Sequence, residues 1–144
     1  MSAPRMRAVL GRRLENLDDY TLENVPVPEP GPGHVRLKIY STGLGFADGL
    51  LCTGRYQLKP PLPYVPGCEF AGVIDSLGPE VSGYGLGQRC AALAMGGGCA
   101  EYAVVPVSSL VPVPSGLNFA RCGVLGRLHH SISCPPGPCE PATW

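Results

Sequence analysis

Residues that could bind a metal ion are concentrated near the C-terminal end of the sequence. Cys122, His129, His130, Cys134 and Cys139 carry the thiol and imidazole groups that zinc ligation uses. Their spacing fits no common zinc-finger or ribbon pattern, and the prolines between the last two cysteines restrict the loop. A zinc site in this segment is therefore an alternative hypothesis, which a chelator that leaves thermal stability unchanged would contradict.

The cysteines as a group favour a reducing environment. The chain has seven, an odd number at irregular intervals, which does not match the disulfide framework of a small secreted domain. We expect free thiols, with Cys68 and Cys99 acting as small buried apolar side chains. A reactive thiol would require a nearby cation or helix N-terminus that lowers its pKa.

The glycine-rich segments predict no phosphate-binding loop. Gly43 and Gly45 are spaced as in a dinucleotide-binding turn, but Asp48 occupies the position of the third glycine. The glycines of residues 83–87 have the wrong spacing and no helix behind them. No glycine-rich loop ends in Gly-Lys-Ser or Gly-Lys-Thr, so the sequence predicts no cradle for a nucleotide phosphate.

Short strands separated by turns would position the residues described above. Residues 34–40 alternate polar and apolar, which places Val35, Leu37 and Ile39 on one face of a half-buried strand. A short helical turn is predicted at Ala47–Leu51, with Asp48 as its cap. The pattern indicates a mainly β sandwich or barrel. Further strands are predicted at Met6–Leu10, Tyr20–Val25, Phe70–Ile74, Arg89–Ala94 and Cys99–Val105.

Composition and charge narrow the classes of function. Hydrophobic residues make up 44% and charged residues 15% of the 144 residues, a balance typical of one globular domain. Eleven basic and eleven acidic residues give zero formal net charge, so we expect no nucleic-acid partner and no membrane attraction. No apolar run approaches the roughly 20 residues of a membrane-spanning helix, and no signal peptide is recognisable. We expect a cytoplasmic protein, with a mitochondrial location left open.

Four segments between residues 6 and 120 follow one another in a recognisable order. They are Val25–Val35 with its repeated prolines, Gly43–Asp48 with Gly54–Tyr56 behind it, Pro63–Gly72, and Gly97–Tyr102. Their order and spacing resemble the N-terminal, GroES-like domain of the zinc-free quinone oxidoreductases, a branch of the medium-chain dehydrogenases/reductases. The resemblance implies a mainly β fold over residues 1–120, a partly open antiparallel β-barrel with one or two short helices.

The resemblance also implies an activity, hydride transfer from NADPH to a quinone or another electron-poor enone. The barrel of such an enzyme forms one wall of a cleft, and a nucleotide-binding Rossmann domain forms the other. By position, Gly45, Phe46 and Tyr56 would lie on the nicotinamide side of this wall. Tyr56 is the candidate catalytic residue, as hydrogen-bond donor to the developing oxyanion. The simpler alternative is a ring packed at a domain edge with a solvated hydroxyl.

Several positions depart from the family pattern. Gly45 stands where quinone oxidoreductases usually have an asparagine, and Cys52 where they usually have an arginine, so the presumed cleft loses two polar groups. In zinc-dependent alcohol dehydrogenases the positions of Gly45 and Cys68 carry ligands of the catalytic zinc, and glycine has no donor atom. We therefore expect no metal here, and a structural hydrogen-bonding role for Glu69.

The family pattern stops at residue 120. Residues 121–144 keep no clear periodicity and hold three of the seven cysteines and four prolines, which predicts an irregular, disordered tail. Their abrupt start suggests an alternative reading or splice of a longer coding sequence that would continue into the Rossmann domain. We expect the isolated chain not to bind NADPH and to be inactive. The alternative is a non-catalytic binding or regulatory module that pairs with full-length relatives and forms homo- or hetero-oligomers through exposed apolar surface.

Overall fold

The computed structural model describes residues 2–122, in which strands predominate. The first two, β1 (Arg5–Gly11) and β2 (Tyr20–Pro26), are joined through a 3-10 turn at Leu17–Asp19 and pair antiparallel. The other five strands are β3 (His34–Gly43), β4 (Glu69–Leu77), β5 (Arg89–Leu93), β6 (Tyr102–Pro106) and β7 (Leu110–Pro112). They form one antiparallel sheet in the order β6-β3-β4-β5-β7. Helix α1 (Phe46–Cys52) follows β3, a 3-10 turn at Val107–Ser109 precedes β7, and helix α2 (Phe119–Cys122) comes last.

The two sheets do not close on each other. Isolated antiparallel bridges join Ala8 to Ala100 and Gly11 to Tyr64, which holds the β1–β2 pair against the rest of the domain. The predicted mainly β fold, a partly open antiparallel barrel with two short helices, is thereby confirmed. None of the helices within residues 2–122 is long and apolar enough to span a bilayer.

The main core covers one face of the five-stranded sheet. The alternation predicted for residues 34–40 is confirmed, since Val35 and Leu37 are fully buried and Ile39 is partly buried against them. Phe70 and Ile74 of β4 are 1% exposed and complete the centre of this face. Burying several such side chains, each worth about 1.5–3 kcal/mol, gives the sheet its principal stabilisation.

Strand β3 runs three residues beyond its predicted end and changes register on the way. Ile39 lies opposite Gly72 and Ser41 opposite Ala71, so Tyr40 is an extra residue without a partner on β4. Such a bulge bends a strand and redirects the side chains that follow it. The Tyr40 ring instead stacks on Phe119, with centroids 4.9 Å apart.

Helix α2 packs on the face of the sheet opposite the main core. Cys122 is 1% exposed and packs with Ala71, Ala91 and Val113, and Phe119 covers the same cluster. The Arg89 guanidinium lies 4.3 Å from the centroid of the Phe119 ring, on which the Tyr40 ring is also stacked. We call Tyr40, Phe119 and Arg89 the aromatic clamp.

The structure corrects the predicted strand at Cys99–Val105, which begins only at Tyr102. The preceding residues bond to other segments: the Cys99 N–H donates to the Pro66 carbonyl (2.8 Å), and the Glu101 N–H donates to the Arg7 carbonyl (3.1 Å). Arg121 and Cys122, assigned to the predicted tail, lie in α2. The rest of that tail, with four of the five candidate zinc ligands, lies outside the described residues.

Candidate functional site

The predicted cap of helix α1 is confirmed. Gly45 precedes the helix in an extended conformation (φ −125°, ψ −179°), and its N–H donates to Oδ2 of Asp48 at 2.7 Å. A carboxylate three residues into a helix satisfies a donor that has no partner within the helix. Asp48 therefore fixes the conformation of the segment in which Gly45 and Phe46 lie.

Asp48 has a second role that the sequence did not reveal. Its Oδ1 accepts hydrogen bonds from the backbone N–H groups of Gly67 (3.2 Å) and Cys68 (2.9 Å), and its side chain is buried. A carboxylate bonded to three amides joins the start of α1 to the turn before β4, an arrangement we call the Asp48 tie. The only signal in the sequence was the Pro-Gly-Cys turn, whose amides need acceptors.

A third segment packs against this turn because two glycines allow it. A Cβ on Gly67, whose φ is +97°, would lie 2.8 Å from the Cys99 nitrogen. A Cβ on Gly98 would lie 2.7 Å from the Gly67 carbonyl oxygen, which accepts a hydrogen bond from the Gly98 N–H. Both glycines are required for close backbone approach. Residues 43–48, 65–68 and 96–99 thus converge around the Asp48 carboxylate.

Gly45 and Phe46 lie together on the open side of this arrangement. Phe46 is 85% exposed and Leu44 is 69% exposed, so two large apolar side chains flank the glycine. A Cβ on Gly45 would have one neighbour within 4 Å, Oδ2 of Asp48 at 3.8 Å. Neither the extended backbone nor packing requires glycine at this position.

Tyr56 lies at the other end of α1. Its N–H donates to the Leu50 carbonyl at 3.1 Å, and its half-buried ring packs against a cluster containing Leu51, Cys52 and Tyr64. No hydrogen bond to its hydroxyl forms within residues 2–122. The structure therefore brings Gly45 and Phe46 together and separates Tyr56 from them by the length of a seven-residue helix.

Cys52, which stands where quinone oxidoreductases usually have an arginine, lies in the core of the domain. Its side chain is 4% exposed and packs with Leu51 and Tyr64, because position 52 lies on the buried face of α1. Burial raises the pKa of its thiol.

Cys68 and Cys99, expected to be buried, are only partly buried. Burial, reinforced by the negative charge of Asp48, raises the pKa of the Cys68 thiol from 9.0 to about 12, and it also raises the pKa of Cys99. Both thiols are therefore protonated at neutral pH and are weak nucleophiles. The buried Tyr64 hydroxyl makes no hydrogen bond within the described range, although the Cys68 thiol is a near neighbour.

The donor set does not suit a catalytic zinc. Among residues 2–122, no three His, Cys, Asp or Glu side chains are grouped so as to hold a metal ion. Gly45 offers no donor atom, and the Asp48 carboxylate is already bonded to three amides. Glu69 begins β4 opposite Gly43 and Leu93, and its hydrogen-bonding role stays a prediction.

An open groove of about 340 Å³ lies elsewhere on the barrel. It runs between β1, the end of β3 and residues 98–101, and an ion pair between Arg7 and Glu101 (2.9 Å) borders it. Its lining includes none of Gly45, Phe46 and Tyr56. The groove is therefore distinct from the wall that the Asp48 tie supports.

Comparison with known proteins agrees with this arrangement. The sequence profile of the alcohol dehydrogenase GroES-like domain matches residues 31–115. The chain is 36% identical over 137 residues to a quinone oxidoreductase-like protein 2 homolog of Nematostella vectensis, covering 89% of this chain and 36% of that protein. It is also 36% identical over 104 residues to a quinone oxidoreductase of Mus musculus, covering 72% and 31% of the two chains.

Solved structures show the same architecture. The crystal structure of the human synaptic vesicle membrane protein VAT-1 homolog-like protein superposes with a TM-score of 0.79 at 30% identity. That match covers 83% of this chain and 39% of the other, and the chain spans about a third of the curated relatives named above. Since the domain profile covers more than half of the sequence, the chain belongs to the alcohol dehydrogenase GroES-like domain family, among the quinone oxidoreductase-like medium-chain dehydrogenases/reductases.

Proposed function

We propose that this domain forms the substrate-side wall of an NADPH-dependent oxidoreductase that transfers hydride to a quinone or another electron-poor enone. The observation that carries the proposal is the 36% identity to a quinone oxidoreductase-like protein across 137 residues. The geometry is compatible, because the Asp48 tie holds an exposed apolar wall of Leu44, Gly45 and Phe46 in a fixed position. Such a wall excludes water and orients planar rings.

The residues of this domain fit the nicotinamide end of NADPH but not its pyrophosphate. The open surface at Gly45, flanked by Leu44 and Phe46, suits the flat face of a nicotinamide ring. The glycine-rich segment 96–98 does not offer its backbone to a pyrophosphate. The Tyr64 ring packs so closely on Gly96 that an added Cβ would lie 2.5 Å from it, and the Gly98 N–H already donates to the Gly67 carbonyl. We propose that a second, nucleotide-binding domain holds the phosphates.

NADPH, when bound, supplies the hydride. The barrel's own contribution is to exclude water and to place the substrate carbonyl, with Tyr56 as the proposed donor to the oxygen on which negative charge develops. The backbone of Tyr56 is held through its N–H bond to Leu50 (3.1 Å), which would position the hydroxyl. Because Gly45 offers no donor atom and no three metal-binding side chains are grouped within residues 2–122, we propose a reaction without zinc.

Two measurements test this function. Calorimetric titration of the 144-residue chain with NADPH should give no saturable heat up to about 1 mM, and the chain alone should not oxidise NADPH in the presence of a quinone. A hybrid in which this chain replaces the corresponding barrel of the mouse quinone oxidoreductase should oxidise NADPH with a quinone. A folded hybrid that binds NADPH but reduces no quinone or enone would contradict the proposal.

Exposed apolar side chains favour a second candidate function, a non-catalytic module that pairs with another chain. Phe46 (85% exposed) and Leu44 (69%) form an apolar surface that a partner could cover. Sedimentation velocity should then show concentration-dependent association that Phe46→Ser abolishes and Leu86→Ser, a matched control at 68% exposure in the β4–β5 turn, leaves intact. A monomer at all concentrations would contradict this alternative.

A further inference from the structure

The groove beside Arg7 gathers exposed apolar side chains on one concave surface. Its volume of about 340 Å³ lies at the lower end of the range for small-molecule sites, roughly 300–1,000 Å³. Leu22 of β2 and Tyr40 at the β3 bulge both line it, and they are 67% and 57% exposed. Single exposed apolar residues are common on protein surfaces, but two that line the same concavity favour a site for a ligand with an apolar body.

The Tyr40 ring is held in position and still has open surface. It stacks on Phe119, with centroids 4.9 Å apart and ring planes 17° apart. The Arg89 guanidinium, 4.3 Å from the Phe119 centroid, supports the same ring. Because more than half of Tyr40 remains exposed on this support, a second planar ring can stack on it without ordering a mobile side chain.

The hydroxyl groups of the residues that line the end of β3 are already bonded within the fold. Oγ1 of Thr42 donates to the Gly98 carbonyl at 2.6 Å. The Ser41 hydroxyl donates to the Phe119 carbonyl. This part of the groove therefore offers contact area to a ligand rather than free hydroxyl donors.

The donors that remain free around the groove are cationic. Arg7 donates through Nε (3.2 Å) and Nη2 (2.9 Å) to Oε1 of Glu101, and its Nη1 has no partner within residues 2–122. Nζ of Lys38 lies 5.9 Å from the centroid of the Tyr40 ring, and this lysine forms no ion pair in the described part of the chain. The hydrogen bonds from Arg7 and, in addition, the charge of Lys38 lower the pKa of Glu101, so both cations lie near this carboxylate. Two cations and one carboxylate leave an excess of one positive charge, which favours an anionic group here.

We propose that this groove binds planar aromatic carboxylates, with the ring between Leu22 and Tyr40 and the carboxylate beside Arg7 and Lys38. The lining does not include the wall formed by residues 44–46, so the proposal goes beyond hydride transfer and does not depend on it. A monocarboxylate balances the excess of one positive charge, whereas a phosphate monoester would bring a charge of about −1.5 to −2. The guanidinium can also donate through Nη1 to a carboxylate without releasing Glu101.

The test is an NMR titration of the full 144-residue chain with 2-naphthoate and with its uncharged isostere 2-naphthamide. We expect saturable amide shifts centred on residues 39–42 and 98–101, and binding of naphthoate at least about threefold tighter than that of naphthamide. This ratio should fall toward one as NaCl is raised from about 0.02 M to about 1 M, because salt screens exposed charges. Decahydro-2-naphthoate has the same carbon skeleton and charge without a planar ring, and it should bind at least about threefold more weakly than naphthoate.

Variants at exposed positions separate the contributions of charge and apolar contact while leaving the core unchanged. Lys38→Gln should reduce the ratio of naphthoate to naphthamide affinity at least about twofold. Lys59→Gln, at an exposed lysine that does not line the groove, should leave this ratio unchanged. Leu22→Ser should weaken both probes at least about threefold, since it removes apolar contact area, whereas Leu86→Ser, at a matched exposure of 68%, should weaken neither.

Several results would overturn the inference. They are shifts that are absent from residues 39–42 and 98–101, equal binding of naphthoate to its amide or to its decahydro analogue, and native-like binding by Leu22→Ser or Lys38→Gln. Hydride transfer is measured separately in the hybrid enzyme, so failure of one proposal leaves the other standing.

Discussion

The carboxylate of Asp48 and the backbone N–H of Cys68, twenty residues apart in sequence, are joined by a hydrogen bond of 2.9 Å. Together with the bonds from Gly45 and Gly67, this contact makes one buried side chain the link between two loops. The acceptor is negatively charged and all three donors are backbone amides, so the interaction is stronger than a neutral hydrogen bond.

Asp48→Asn should destabilise the domain by about 2–3 kcal/mol. The side-chain NH2 group of the new asparagine would face a backbone N–H, and that N–H would lose its acceptor. Urea denaturation followed by circular dichroism measures the change. Asp18→Asn, at an exposed position in the 3-10 turn, is the control and should alter the unfolding free energy little. Equal effects of the two substitutions would show that the Asp48 tie adds no stability.

The stability of the folded chain should fall at alkaline pH. The pKa values of Cys68 and Cys90 are raised to about 12 and about 11, mainly by burial, whereas an unfolded thiol titrates near 8.5. The unfolded state therefore releases protons first, and the stability present below about pH 8.5 is lost as pH rises toward 11–12. Urea midpoints measured between pH 7 and 10.5 without metal or oxidant test this. Cys68→Ala should make the fall less steep, and a flat native profile would contradict the assignment.

Phe119→Ala should release α2 from the sheet, because the ring contacts both Tyr40 and Arg89 in the aromatic clamp. The expected cost is about 2 kcal/mol, from an aromatic pair and a cation–π contact. The specific readout is Cys122, which is now 1% exposed. Its alkylation by iodoacetamide, mapped by mass spectrometry, should accelerate at least about tenfold in Phe119→Ala and not in Phe46→Ala.

Arg36 should stabilise the proline-rich segment between β2 and β3 more than a surface ion pair would. Its side chain is 14% exposed and donates to both carboxylate oxygens of Asp75 (2.9 and 3.1 Å), to Glu29 and to the Pro28 carbonyl. Arg36→Lys keeps the charge but loses the two-pronged geometry and should cost about 1–2 kcal/mol. Arg13→Lys is the control, because the exposed Arg13 guanidinium reaches Asp19 through one nitrogen (3.3 Å), and it should change the urea midpoint little.

Tyr56→Phe should lower kcat of the hybrid enzyme by about 10²-fold with little change in KM, as expected for a donor that acts on the developing oxyanion. The stability should be nearly unaffected, because the hydroxyl has no hydrogen-bond partner within residues 2–122. Tyr40→Phe, which keeps the ring that stacks on Phe119, is the control and should leave kcat unchanged. An unchanged kcat in Tyr56→Phe would favour the simpler interpretation of a ring packed at the domain edge.

Strand positions could be predicted because the alternation of polar and apolar residues is a local property. Residues 34–40 illustrate this, since burial of Val35 and Leu37 follows directly from the pattern. Strand β7 and helix α2 are too short to produce a period, and α2 is held by the distant residues Tyr40 and Arg89. Their positions depend on tertiary contacts that a local pattern does not contain.

The site was predictable only in part, for the same reason. The capping role of Asp48 is encoded within four residues, whereas its bonds to Gly67 and Cys68 depend on a loop twenty residues away. The burial of Cys52 against Leu51 and Tyr64 was not predicted, because it depends on packing between α1 and a loop that follows it. Gly45 and Phe46 lie together because they are adjacent in the chain, and their position beside a nicotinamide stays a prediction.

The unpaired residue in β3 has a consequence for how this domain can change in evolution. Strand side chains alternate faces, so the extra residue at Tyr40 sets the orientation of everything from Ser41 to Asp48 relative to the β3–β4 ladder. Substitutions at position 40 alter one ring, but a single-residue deletion there would exchange inward and outward faces along the segment that leads to Gly45. Insertions and deletions should therefore be selected against at this position more strongly than substitutions.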